Sequence, residues 1–127
     1  MVGPTWTLIE YRPAGGGAPI RAADGEIYQL GFQQGGRLVA RLSCNRGTGR
    51  WTATDGRAAS GAIGIGPIAA TMRGCLPGNL DRLAADLERV RSYAVKGGRL
   101  HLTIAPDAQA TESGTAGGGD YVWTPGG

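Results

Sequence analysis

One histidine, one phenylalanine and two cysteines are all that 127 residues provide of those types, and each scarcity removes a class of chemistry. Structural metal sites need several Cys or His donors at close spacing. Here neither Cys44 nor Cys75 has such a neighbour and the sole histidine is His101, so no metal is expected. The chain also lacks a Gly-x-Ser-x-Gly elbow and a His-Glu-x-x-His helix. A Cys-His nucleophile would have to pair His101 with Cys44 or Cys75, but strand alternation sets His101 outward and Cys44 inward. Gly61, Gly64 and Gly66 are not spaced as a dinucleotide fingerprint, no Lys-Ser or Lys-Thr follows, and Pro67 interrupts an immediate helix start. These absences point to a protein that is not an enzyme, with no catalytic residue and no cofactor.

No stretch approaches the roughly 18 apolar residues that span a bilayer, and residues 1 to 12 lack the basic-then-apolar order of a secretory signal. If Met1 is the native start, the chain is expected in the cytoplasm. If Met1 stands in for a removed leader, it is expected in the periplasm or anchored at the outer membrane.

Hydrophobic residues make up 41% of the chain, but much of this is alanine, and 24 glycines thin the large apolar set further. The length suits one domain over residues 1 to 127 with a single small core. Glycine at this density opposes a helical bundle, since each interior glycine costs about 0.5 to 1 kcal/mol relative to alanine. Turns and bulges of a β protein use it freely, so the composition leans toward β.

Patterning agrees. Trp6 to Tyr11 reads as a first strand, stopped by Pro13 and the Gly15 to Gly17 run, and Ile27, Tyr28, Leu30 and Phe32 as a second. Gly35 and Gly36 turn the chain into a strand from Arg37 to Cys44 whose inner face is Leu38, Ala40, Leu42 and Cys44. Trp51 and Ala53 share an inner face, Asp55 and Gly56 predict a two-residue hairpin turn, and Ile63 and Ile65 lie on the return strand. One helix is predicted from about Asn79 to Arg91, with Leu80, Leu83, Ala84, Leu87 and Val90 as its apolar stripe. Asn79 is its N-cap, and Arg82 with Asp86 and Glu88 with Arg91 form a solvated face. Tyr93 to Lys96 and Arg99 to Ile104 form a hairpin about Gly97 and Gly98. A flexible, glycine-rich loop over about 105 to 119 then leads to a last strand at Tyr121 to Trp123.

Both cysteines sit in patterned segments, Cys44-Asn45-Arg46-Gly47-Thr48-Gly49 and Thr71-Met72-Arg73-Gly74-Cys75. Two cysteines permit one disulfide, closing a loop of about thirty residues and contributing about 3 to 4 kcal/mol, or two buried thiols acting as small hydrophobes. Cys-Asn-x-x-x-Gly followed by Thr-x-Met-x-x-Cys resembles the META domain family of bacterial envelope proteins, the HslJ-like heat-shock lipoprotein type. An opening Trp-x-Leu, the Gly-Pro-Ile-Ala before Thr71 and the Tyr-x-Val to Leu-x-Leu hairpin extend the resemblance over most of residues 6 to 104. It implies a lipocalin-like antiparallel barrel or half-barrel carrying one helix, a Cys44 to Cys75 bridge, and a monomer associated with the envelope and with stress or antibiotic tolerance. Asn45, Arg46, Gly49, Thr71 and Met72 carry the shared motif. Folding explains them: Asn45 as a left-handed or side-chain-bonded turn residue, Gly49 as room for the next strand, Thr71 as a hydrogen-bonding cap and Met72 as an adaptable core filler.

Charge supplies the remaining functional signal. Between residues 36 and 75 the arginines at 37, 41, 46, 50, 57 and 73 face Asp55 alone. Arg37, Arg41 and Arg50 are expected on one outer face, suited to a carboxylate, a phosphate or an acidic partner. Nucleic acid is not expected, because the net charge is only +3 and aromatics do not interleave with the arginines. Three roles follow: binding of an envelope component, a lysozyme- or protease-inhibitor module working through a loop, and a carrier of small anions at the barrel mouth.

Overall fold

A computed structural model describes residues 2–14, 17–23, 25–53, 58–71, 80, 83–104 and 118–126. Among them the strands are β1 (Thr5–Pro13), β2 (Ile20–Arg21), β3 (Tyr28–Gln33), β4 (Arg37–Leu42), β5 (Asn45–Ala53), β6 (Ser60–Ile65), β7 (Ala69–Ala70), β8 (Val90–Lys96), β9 (Arg99–Ile104) and β10 (Gly119–Pro125), with the helix α1 at Leu83–Leu87. The antiparallel order β10-β9-β8-β6-β5-β4-β3-β1 closes through pairing of β10 with β1, giving an eight-stranded barrel. Closure leaves no free sheet edge around the barrel wall. The resemblance left the last strand unplaced in the barrel. Its register from Trp6 opposite Pro125 to Pro13 opposite Gly119 shows that it is the closing strand.

The alternation read from the sequence fills the lumen. Leu30, Phe32, Leu38, Leu100, Leu102, Ile104 and Trp123 are at most 2% exposed, and Trp6, Tyr28, Trp51 and Tyr121 pack with them. Eight strands enclose a space that side chains can fill, so the interior is a core. A bulge at Ile9 adjusts the first strand. Leu8 opposes Trp123 and Glu10 opposes Val122, so Trp6, Leu8 and then Tyr11 turn inward while Glu10 lies on the other face, buried beneath Arg12 and Arg21. The Tyr11 and Tyr121 rings stack at 4.6 Å.

Three sequence expectations need correction. The strand expected to run to Cys44 ends at Leu42; the turn falls on Ser43 and Cys44, with Ser43 taking the left-handed conformation (φ 60°) that is one of the two roles expected of Asn45. Cys44 is consequently exposed at a hairpin tip, not inward, and Asn45 opens β5 opposite Leu42. The turn expected at Asp55 and Gly56 lies outside the described residues; among those described, Ala53 pairs with Ile63, and β6 gives Ser60 to Ala62 to β8. The helix is shorter than 79 to 91, because Val90 and Arg91 already belong to β8. Asn79, Asp81 and Arg82 lie outside the described residues. Lastly, Asp86 is no part of a solvated face: it is 5% exposed.

Two buried carboxylates seat this short helix in the core. Asp86 accepts the Tyr121 hydroxyl at 2.6 Å and Arg89 at 3.2 Å. Glu26 accepts the Tyr28 hydroxyl at 2.9 Å and the main-chain N–H groups of Leu80 (2.9 Å) and Ala23 (2.8 Å). Leu80, Leu83, Leu87 and Val90, the predicted apolar stripe, are all buried.

Candidate functional site

The motif residues form a clasp between β5 and β7. The Thr71 hydroxyl donates to Asn45 Oδ1 at 2.9 Å and accepts the Arg46 N–H at 3.1 Å, while the Thr71 N–H donates to the Arg46 carbonyl at 2.9 Å. Gly47 and Gly49 lie within β5, not in a loop, beneath the 67–70 segment. A Cβ on Gly47 would stand 2.6 Å from Ile68, and one on Gly49 would stand 3.1 Å from the Pro67 carbonyl. Small size is what allows β7 to lie along β5 here. Among the described residues no cysteine is free. Met72, Arg73 and Cys75 lie outside them, as do Arg57 and positions 105–117 of the long loop.

With the turn at Ser43 and Cys44, β4 and β5 acquire a specific outer face. Leu38, Ala40 and Leu42 point inward, so Arg37, Val39 and Arg41 point outward; their partners are Arg50, Thr48 and Arg46 respectively. All four arginines are exposed. The structure thus places Arg37, Arg41 and Arg50 on one wall and adds Arg46. The sequence held the signal for Arg46, since Arg46, Thr48 and Arg50 alternate, but placing Cys44 inward at a strand end hid it.

The register extends this wall into three rows running across the strands. One row is Thr7, Gln29, Arg41 and Arg46; another is Gln33, Arg37 and Arg50. Between them lies a row of small side chains, Thr5, Gly31, Val39, Thr48 and Ala69. Gly31 keeps the floor low, because a Cβ there would meet Val39 Cγ2 at 2.8 Å. An open trough of about 370 Å³ follows this floor past Gln29, Arg41 and Arg46. A second depression of about 470 Å³, beside Arg46, Thr48 and Ala69 to Thr71, continues it.

No ion pair among the described residues compensates the wall. Among the described residues the ion pairs are Arg12 and Arg21 with Glu10, and Arg89 with Asp86; none involves Arg37, Arg41, Arg46 or Arg50. The arginines face each other in directly opposed like-charge pairs, an arrangement that destabilises a sheet. His101 lies on a different part of the barrel, outward between Ala94 and Val122. Burial lowers its proton affinity from the ordinary 6.5, opposed by Asp120 and reinforced by Lys96, Arg12 and Arg99. Among the described residues no group of three or more His, Cys, Asp or Glu side chains is placed to hold a metal.

The clasp, the closed barrel and the chain's order of elements meet in one comparison: the META domain family model matches residues 1–115. The chain belongs to the META domain family. No curated protein matches it, and no solved structure does. For this META domain the signature residues Asn45 and Thr71 hold strands together, while the arginine wall stands beside them with no ion pair among the described residues. No helix among the described residues is long and apolar enough to cross a membrane.

Proposed function

We propose that this META domain is a non-enzymatic binding module of the cell envelope that holds an anionic component against the outer wall of β3, β4 and β5. The observation that carries the reading is the set of four exposed arginines, opposed in pairs and without a carboxylate partner among the described residues. A fold gains nothing from such pairs, and positions that break a local stability rule are where function is sought. Arginine suits the task because its planar fork binds carboxylate or phosphate in a bidentate manner.

The filled lumen directs the anion reading away from the barrel mouth and onto this wall. Residence in the periplasm or at the outer membrane, a Cys44 to Cys75 disulfide and a contribution to stress or antibiotic tolerance belong to the same proposal. Its support is family membership and a Cys44 that is not a free thiol. The test is titration with inorganic polyphosphate at low and moderate salt, for the native chain and for a variant with Arg37, Arg41, Arg46 and Arg50 all changed to Gln. The native chain should bind with an affinity that falls steeply as salt rises, and the variant should lose about 100-fold or more. Equal affinity in the two proteins would remove the wall from the account.

A further inference from the structure

Resting on that reading, we infer that the wall's ligand is a linear, hydroxyl-bearing polyanion of the acidic-glycan class, lying in the trough across the strands. The shape argues for a chain. Thr5, Gly31, Val39, Thr48 and Ala69 are successive cross-strand partners, so the floor crosses five strands, a run of about 19 Å at 4.8 Å per strand. The two arginine pairs stand four residues apart along β4 and β5, about 13 Å, one on each side of the floor. A single extended chain laid along the floor meets Arg41 and Arg46, which line the trough, on one bank, with the Arg37 and Arg50 row beyond the other, whereas a flat membrane surface would not enter.

The lining argues for hydroxyl groups. Beside the arginines the trough presents Thr5, Thr48 and Gln29, neutral groups that both donate and accept, as alcohols require. Gln29 Nε2 donates to Thr7 Oγ1 at 3.2 Å, which holds the amide along the bank. A bare phosphate chain can accept from these groups but has no alcohol O–H to donate back to their oxygens, so it uses only half of what they offer. Single-stranded nucleic acid needs aromatic platforms for its bases. Of the aromatic residues of these strands, Trp6, Tyr28, Phe32 and Trp51 are buried on the inner face and the half-buried Tyr11 stacks on Tyr121; none lines the trough. Lipid insertion is equally unprovided for: the exposed large apolar residues among those described are Ile20 and Ile27, and neither lines the trough.

The experiment compares polygalacturonate fragments, polyphosphate of matched charge and oligo-dT by titration calorimetry, with the native chain and with Thr5→Val plus Thr48→Val. Those substitutions keep side-chain size and strand preference while removing the hydroxyls. The native chain should bind the uronate chain about tenfold more tightly than polyphosphate. The double variant should lose about tenfold toward uronate and clearly less toward polyphosphate, as expected when the ligand's own hydroxyls use both the donor and the acceptor side of each threonine. Equal binding of uronate and polyphosphate, tightest binding of oligo-dT, or an unchanged double variant would overturn the glycan assignment while leaving an anion-binding wall. Failure of every polyanion to bind would overturn both.

Discussion

Ser43 decides where the β4–β5 hairpin turns, and that choice determines which arginines share a face. The sequence made Leu38, Ala40 and Leu42 legible as an inner face, because strand alternation needs no tertiary information. It did not make the turn legible, since a serine at φ 60° is uncommon; extending the alternation one step too far turned Cys44 inward. Correcting that single position exposes Cys44 and sets Arg46 opposite Arg41. His101 shows the same limit. Its outward orientation follows from alternation, but its half-burial depends on β8 and β10 closing on either side. As pH falls through 6.5 the unfolded chain takes up a proton that folded His101 resists. Its effect on stability, absent above that pH, is then unfavourable, growing until the pH passes the lowered folded value and remaining at full size below it. Between about pH 7.5 and about pH 5.5 the native chain should therefore lose more in Tm than His101→Gln does. Parallel losses in the two proteins would show that His101 titrates as it does in the unfolded chain.

At the scale of elements, the helix was the most strongly periodic segment and still came out shorter than its pattern. Its stripe is buried, but the last apolar member, Val90, belongs to β8, because a helical and a strand residue bury an apolar side chain equally well. What seats the helix was not legible at all. Glu26 reaches the Leu80 N–H across 54 positions and Tyr121 reaches Asp86 across 35, pairings that no local spacing encodes. Tyr121→Phe keeps the ring against Tyr11 and strips Asp86 of a short hydrogen bond in a buried site. The variant should lose about 1 to 3 kcal/mol in urea-induced unfolding. A loss below measurement would mean that Asp86 is satisfied by Arg89 alone and that the tyrosine hydroxyl does not anchor the helix.

For the whole molecule, composition and turn glycines were enough to imply a β protein, while the barrel and the order of most of its strands came from the family resemblance. Closure by β10 was out of reach, since it joins the two ends of the described chain through a register that only the assembled barrel defines. Within that barrel, apolar packing accounts for the lumen and hydrogen bonding for the motif, and neither accounts for four opposed arginines on the outer wall. The measurement that tests this most directly replaces Arg46 and Arg50 by Glu, turning both like-charge pairs into salt bridges, and follows thermal stability and polyanion binding on the same preparations. Each opposed pair relieved should add about 0.2 to 1 kcal/mol, raising Tm by a few degrees for a chain of this size, while affinity for polyanions disappears. A rise in Tm with binding intact would contradict the account, showing that the wall is not where the anion sits.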